Sequence, residues 1–182
     1  MKGCAEVSLN LLAPGEAADL LLGTAQIKDA DAAALAAAEE IAVLCGNLPL
    51  FISICGGVIA GYEDDPSWKT EVVGMLVEDR VGLIEDSTGD RTVERLVDSS
   101  LSMLKDQQTT LVFMALGVCP EDVLVELPVA QLICGADVDV AAAGKLSSMS
   151  MRRIVKTLLD RHLLQGSFTN GVQMHDIVRD LV

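Results

Sequence analysis

Aromatic side chains are nearly missing from this chain: three Phe, one Trp and one Tyr among 182 residues. An aromatic-rich sandwich is therefore disfavoured, and the core must be aliphatic. Histidine is scarcer still, with two. That leaves little for a metal centre, and with no nucleophile-elbow motif it leaves little for Ser-His-Asp catalysis. The cysteines Cys4, Cys45, Cys55, Cys119 and Cys134 are odd in number and never spaced Cys-x-x-Cys. They read as small core residues in a reducing compartment rather than as disulfides or zinc ligands. No apolar run is long enough for a membrane. The best, residues 48–60, is interrupted by Ser53, Gly56 and Gly57 and followed by Glu63-Asp64-Asp65, short of the ~20 residues a span requires. Lys2 is followed by Glu6 and Asn10, which break any signal-peptide core.

Positive charge is short as well: 13 Lys and Arg face 27 Asp and Glu, a net charge of -14. Such an acidic body repels nucleic-acid backbones and anionic membranes. A phosphate loop, G-x-x-x-x-G-K-[ST], is also missing. The one Gly-Lys pair, Gly144-Lys145, is followed by Leu146 and has Asp139 where the first glycine belongs. No aspartate-tipped hydrophobic strand offers a magnesium ligand. The chain alone is expected not to hydrolyse ATP.

What remains is aliphatic and periodic. Hydrophobic residues make up 51% and the mean hydropathy is +0.42, enough for one domain or two small ones with a real core. Residues 7–12 form a short β-like run ended by Ala13-Pro14-Gly15. Residues 16–25 read as a helix. Asp29 or Asp31 can cap an Ala-rich helix reaching Cys45, with Leu35, Ile41 and Leu44 as its buried stripe. Gly46-Asn47 ends that helix, and Pro49 suits the first turn of a buried helix over 48–60. Pro66 starts a helix carrying Trp68, Val72, Met75 and Leu76. Residues 84–91 read as a polar loop and 93–104 as a helix.

The pattern changes after Asp106. A helix through 111–116 stops at Gly117, and Cys119-Pro120-Glu121-Asp122 forms a turn. Residues 124–133 suggest a second helix that Pro128 could break. Residues 149–163 suggest a third, with Met151, Ile154, Val155, Leu158, Leu159 and Leu163 inside. Segments 164–168 and 172–174 then flank Asn170-Gly171, a hairpin-turn signal. Three helices followed by a hairpin is a winged-helix plan. The fold expected is mainly α, a helical bundle over 13–103 followed by a winged helix over 104–182.

Two segments carry the functional signal. By pattern alone, Gly46-Asn47-Leu48-Pro49-Leu50 is a helix stop and a Pro-started helix. Met174-His175-Asp176 lies after the hairpin and opens a helix. A helix N-terminus attracts anions, and a histidine there can donate a charge-assisted hydrogen bond. The bland alternative is that Asp176 caps the helix and His175 is a surface residue.

Together these segments resemble the regulatory half of the NB-ARC family, the STAND-class switch ATPases of plant NLR resistance proteins. The family's first motif is usually Gly-Leu-Pro-Leu-Ala. Gly46, Leu48, Pro49 and Leu50 are kept in kind, while Asn47 and Phe51 depart. The second is matched by Met174 through Leu181. Trp68, the Pro120-Glu121-Asp122 turn and the leucines at 158–159 and 163–164 follow the family's order, so the resemblance covers nearly the whole chain.

The resemblance implies several things. Pro49 would pack on adenine and His175 would contact the β-phosphate of ADP, holding an inactive state. Gly46, Leu48, Leu50, Met174 and Asp176 would shape the same site. Residues 7–12 would be the last strand of a missing nucleotide-binding domain. ADP or ATP would bind the chain alone weakly or not at all. Oligomerisation with NB-ARC relatives, a cytoplasmic location and a part in defence or stress signalling would follow.

Two other classes stand beside this reading. One is an adaptor without ATPase function that pairs with intact relatives. The other is a winged-helix DNA-binding regulator, suggested by Arg152, Arg153, Lys156 and Arg161 on the third helix. The acidic charge argues against nucleic acid.

Overall fold

A computed structural model describes residues 10–82, 90–104 and 106–181. Among them the chain is mainly helical, with one two-stranded antiparallel sheet. The expected strand over 7–12 lies largely outside the described residues, and 10–12 carry no regular structure.

The first five helices are α1 (Pro14–Thr24), α2 (Ala32–Leu44), α3 (Pro49–Ala60), α4 (Trp68–Gly82) and α5 (Asp90–Ser102). Their starts follow local chemistry. Pro14 and Pro49 occupy first-turn positions, where a missing N–H costs nothing. Asp31 caps α2 by accepting from the Ala34 amide at 2.6 Å. Helix α3 is buried through Ile52, Ile54, Cys55, Val58 and Ile59. It lies between α1 and α5, while α2 joins α1 to α4.

Small residues let these helices approach. A Cβ on Gly56 would stand 1.8 Å from Thr24 Oγ1 and 3.1 Å from the Leu21 carbonyl oxygen, so glycine there sets the α1–α3 spacing. Trp68, Val72 and Leu76 are buried as expected, with Met75 half-buried. Leu35 is not: it is 43% exposed, and Ala34, Ala37, Ala38, Ile41 and Ala42 form the inner stripe instead. On an alanine-rich helix the close-packing face is the alanine face; Leu35 is left outside it, and Leu44 is half-buried at its end. The expected loop over 84–91 falls mostly outside the described residues, and α5 already begins at Asp90.

The second group comprises α6 (Gln107–Leu116), α7 (Leu127–Ala136), α8 (Val138–Ala142), α9 (Ser148–Asp160), β1 (Gln165–Ser167), β2 (Gly171–Gln173) and α10 (Asp176–Arg179). Pro128 does not break a helix; it starts α7 from the first turn, with Glu126 as the flanking residue. The short α8 was not foreseen; Asp137 caps it, accepting from the Asp139 and Val140 amides. Helix α9 buries Met151, Ile154, Val155 and Leu158 against α6 and α7.

The hairpin register differs from the expected two-residue turn. Gly171 lies inside β2, paired with Ser167, and the connection is 168–170. The reason is steric: Val125 pairs with Val172, and a Cβ on Gly171 would lie 2.9 Å from the Val125 carbonyl oxygen. Glycine is needed where a third backbone passes beneath the strand.

The two groups meet along α3, α5 and the end of α9. Helix α10 packs on α5. A Cβ on Gly57 would stand 3.0 Å from the Cα and carbonyl oxygen of Arg161, the residue closing α9. The Arg161 guanidinium donates to the Ser100 carbonyl at 3.3 Å, and partial burial lowers its pKa. Four cysteines are described; all are free thiols, with Cys45, Cys55 and Cys134 buried. Burial raises the Cys134 thiol to about 12. Contact with Cys45, then burial, raises Cys55 well above its ordinary value. Cys55 and Cys134 thus stay protonated and pack as small apolar groups.

Candidate functional site

The connection between α2 and α3 is fixed by two left-handed residues, Gly46 (φ 66°) and Asn47 (φ 54°). The Asn47 amide donates to the Ala42 carbonyl at 2.9 Å, which turns the chain sharply out of α2. Leu48 is extended and Pro49 begins α3. Leu48 and Pro49 are exposed, while Leu50 and Phe51 are half-buried. A helix start thus presents an apolar lip to solvent.

The hairpin delivers the other side. Gln165 pairs with Gln173, so the residues just before β1 and just after β2 share the open end of the hairpin. Met174 is buried as an anchor, and His175 stands at the N-cap of α10. The result is a groove of about 470 Å³ lined by Leu48, Pro49, Leu50, Phe51, Ser53, His162, Gln165, His175 and Ile177. Four of the sequence-derived residues, Leu48, Pro49, Leu50 and His175, therefore meet at one place. Gly46 shapes the turn without lining the groove. Met174 and Asp176 line an adjoining cavity of about 240 Å³ with Glu121 and Asp122.

Two neighbours compete for His175 Nδ1. The Ile177 amide lies 3.3 Å from it, but only 2.7 Å from Asp176 Oδ1. The Asp176 carboxylate itself closes on Nδ1. A proton on Nδ1 shared with the carboxylate satisfies the closer contacts, and the Ile177 amide then donates to Asp176. This corrects the expected free helix N-terminus. Helix α10 has four residues, and the amide of its second, Ile177, is already capped. The Ile177 amide is therefore not available to an anion, and the imidazole is the side-chain donor here.

The surrounding charge is negative. No Lys or Arg lines the groove. Arg179 is held by Glu121 and by Asp180 at 3.2 Å. The cations of α9 are also engaged: Lys156 pairs with Asp160, and Arg153 lies 3.8 Å from Asp106. Arg152 stacks over the Phe168 ring at 5.6 Å, and Arg161 is turned toward Ser100. That face does not offer a free basic row for a DNA groove.

His162 escaped the sequence reading. It follows α9 in the left-handed conformation (φ 56°), and burial lowers its pKa against a smaller raising effect from Asp160. Its signal was present but faint: a histidine immediately beyond a helix C-terminus, beside a strand whose partner leads to the other histidine.

A larger cavity of about 520 Å³ lies elsewhere, between the α1–α2 and α3–α4 connections. Asp29, Asp31, Glu63 and Asp64 surround it with Lys28 and Lys69, and Lys69 is bound to Asp31 at 2.9 Å. Size alone does not make it the better candidate, and it holds none of Leu48, Pro49, Leu50 or His175. Among the described residues no group of three His, Cys, Asp or Glu could hold a metal. No helix among them is long and apolar enough to cross a membrane.

No family model matches the chain. Over 147 residues, 79% of its length, it is 26% identical to a probable disease resistance protein of Arabidopsis thaliana. The chain spans only 17% of that relative's length.

Proposed function

We propose that the chain acts in defence signalling as the regulatory part of an NB-ARC-type ADP/ATP switch. Helices α1–α5 would be its first ARC subdomain, and the remainder a winged helix with β1 and β2 as the wing. One observation carries the reading: Pro49 and His175, distant in sequence, line one groove. The likeness to a disease resistance protein supports the defence role.

The groove suits the uncharged part of a nucleotide. Its volume of about 470 Å³ falls within the ~300–1,000 Å³ usual for small-molecule sites. Leu48, Pro49, Leu50, Phe51 and Ile177 give it apolar walls. The charged part fits less well, because His175 is flanked by Asp176, no described lysine or arginine lines the groove, and Arg179 is held by Glu121 and Asp180. A separate nucleotide-binding domain would supply the phosphate loop and its cation. This chain is then not an enzyme by itself.

When bound, ADP would bridge the start of α3 and the wing and hold the two helical groups closed. Pro49 would offer its ring to the base, and His175, when protonated on both nitrogens, would donate from Nε2 to phosphate while Nδ1 stays on Asp176. One charge-assisted hydrogen bond contributes about 1.5–3 kcal/mol, whereas reversing a switch from 1:99 to 99:1 requires about 5.5 kcal/mol. His175 can bias the switch without setting it.

Photolabelling tests the assignment. Irradiation with 2-azido-ADP is expected to label peptides containing residues 48–53 or 162–177, with protection by excess ADP. Labelling confined to other peptides, or unaffected by ADP, overturns it.

A further inference from the structure

The groove holds a second imidazole that neither the resemblance nor the relative assigns. His162 and His175 flank the open end of the hairpin, His162 before β1 and His175 after β2. Both line the groove with Pro49. They stand at different margins. His175 and Gln165 continue into the carboxylate-lined cavity beside Glu121 and Asp122. His162 continues instead into a cavity bounded by Leu20, Gly23, Thr24 and Leu159, with Asp19 and Asp160 at its edge. One margin therefore belongs to α10 and the turn before α7, the other to the end of α9 and its neighbour α1.

From this placement we infer that His162 is a ligand-binding residue that hydrogen-bonds the uncharged nucleoside portion, leaving the phosphate end to His175. The inference rests on the nucleotide reading of the groove and deepens it. Burial favours the neutral imidazole of His162, which has one N–H to donate and one nitrogen to accept. That pairing matches the donor and acceptor edges of a purine or the hydroxyls of a ribose. A neutral ring gives no attraction to phosphate. Among the described residues none hydrogen-bonds the His162 side chain.

The backbone makes the test clean. His162 occupies a left-handed position, φ 56°, which glycine adopts without the cost a side chain carries. His162→Gly removes the imidazole while suiting the local backbone, so loss of folding would not masquerade as loss of binding. His162→Asn, also tolerant of this conformation, is the second variant.

Saturation-transfer NMR with adenosine and with ADP reads the result on the whole chain. Wild type is expected to bind both weakly. His162→Gly is expected to weaken adenosine about three- to tenfold, the effect of one neutral hydrogen bond. His175→Ala is expected to weaken ADP more than it weakens adenosine, since the phosphate contact is lost with it. Adenosine affinity unchanged in both His162 variants overturns the inference and leaves the nucleotide reading standing. No binding of adenosine or ADP to wild type overturns both.

Discussion

At the scale of single residues, the two histidines are read differently by pH and by ligand. His162 has its folded-state pKa lowered, chiefly by burial. Above about pH 6.5 it is neutral in both folded and unfolded chains, and the folded state bears no penalty. As pH falls, the unfolded chain takes up a proton that the folded chain resists, so stability declines. The thermal midpoint is expected to fall between about pH 7 and 5.5, and to fall less in His162→Gly. Equal slopes would contradict the buried neutral ring. Asp31 acts in a lower window: hydrogen bonds from Lys69 and the Ala34 amide lower its pKa, so its contribution disappears only as pH drops through the acid range below its ordinary value.

His175 and Asp176 are expected to act together, since the carboxylate orients the ring. In a protein carrying this chain behind a phosphate-loop domain, His175→Ala or Asp176→Val should loosen ADP by roughly 10- to 100-fold, the range of one charge-assisted hydrogen bond. Unchanged ADP on the purified variants would remove the role assigned to both.

At the scale of elements, glycines give the sharpest predictions because the space beside each differs. Gly23 lies in α1 with nothing within 4 Å of an added Cβ, so Gly23→Ala should stabilise by about 0.5–1 kcal/mol. Gly57 faces the Arg161 backbone at 3.0 Å, so Gly57→Ala must part α3 from the end of α9, at about 1–3 kcal/mol. Chemical denaturation checks both, and a neutral Gly57→Ala would mean the two helical groups touch less closely than described.

Much of this element plan was legible in the sequence because helix caps and apolar periods are local. Asp31, Pro49 and the stripe of α9 declare themselves within a few residues. The misreadings share a physical origin in contacts between distant segments. Gly171 looks like a turn glycine until Val125 is seen beneath it. Leu35 looks buried until the alanine face of α2 proves to pack. Pro128 can break or start a helix, and only the preceding extended Glu126 decides. The groove was half legible: its two motifs could be named, but the place of His162 depends on the hairpin register.

At the scale of the whole molecule, charge and assembly dominate. A net charge of -14 makes the folded state repel itself, and screening relieves this. Raising monovalent salt from about 10 to 150 mM shortens the Debye length from about 30 to 8 Å. The thermal midpoint should therefore rise over that range; a fall would show that attractive ion pairs outweigh the net repulsion. The same charge, with the α9 cations already engaged, predicts no retention of duplex DNA at physiological salt.

The nucleotide groove belongs to this scale too, since its walls come from both helical groups. Titrating ADP into the nitrogen-15-labelled chain and following every amide resonance tests it most directly. The nucleotide reading predicts shifts confined to residues 48–53, 162–165 and 174–177, saturating at roughly millimolar ADP, as few and largely uncharged contacts allow. Absent shifts, shifts centred on the Asp31 cavity, or submicromolar affinity without a phosphate loop would contradict it.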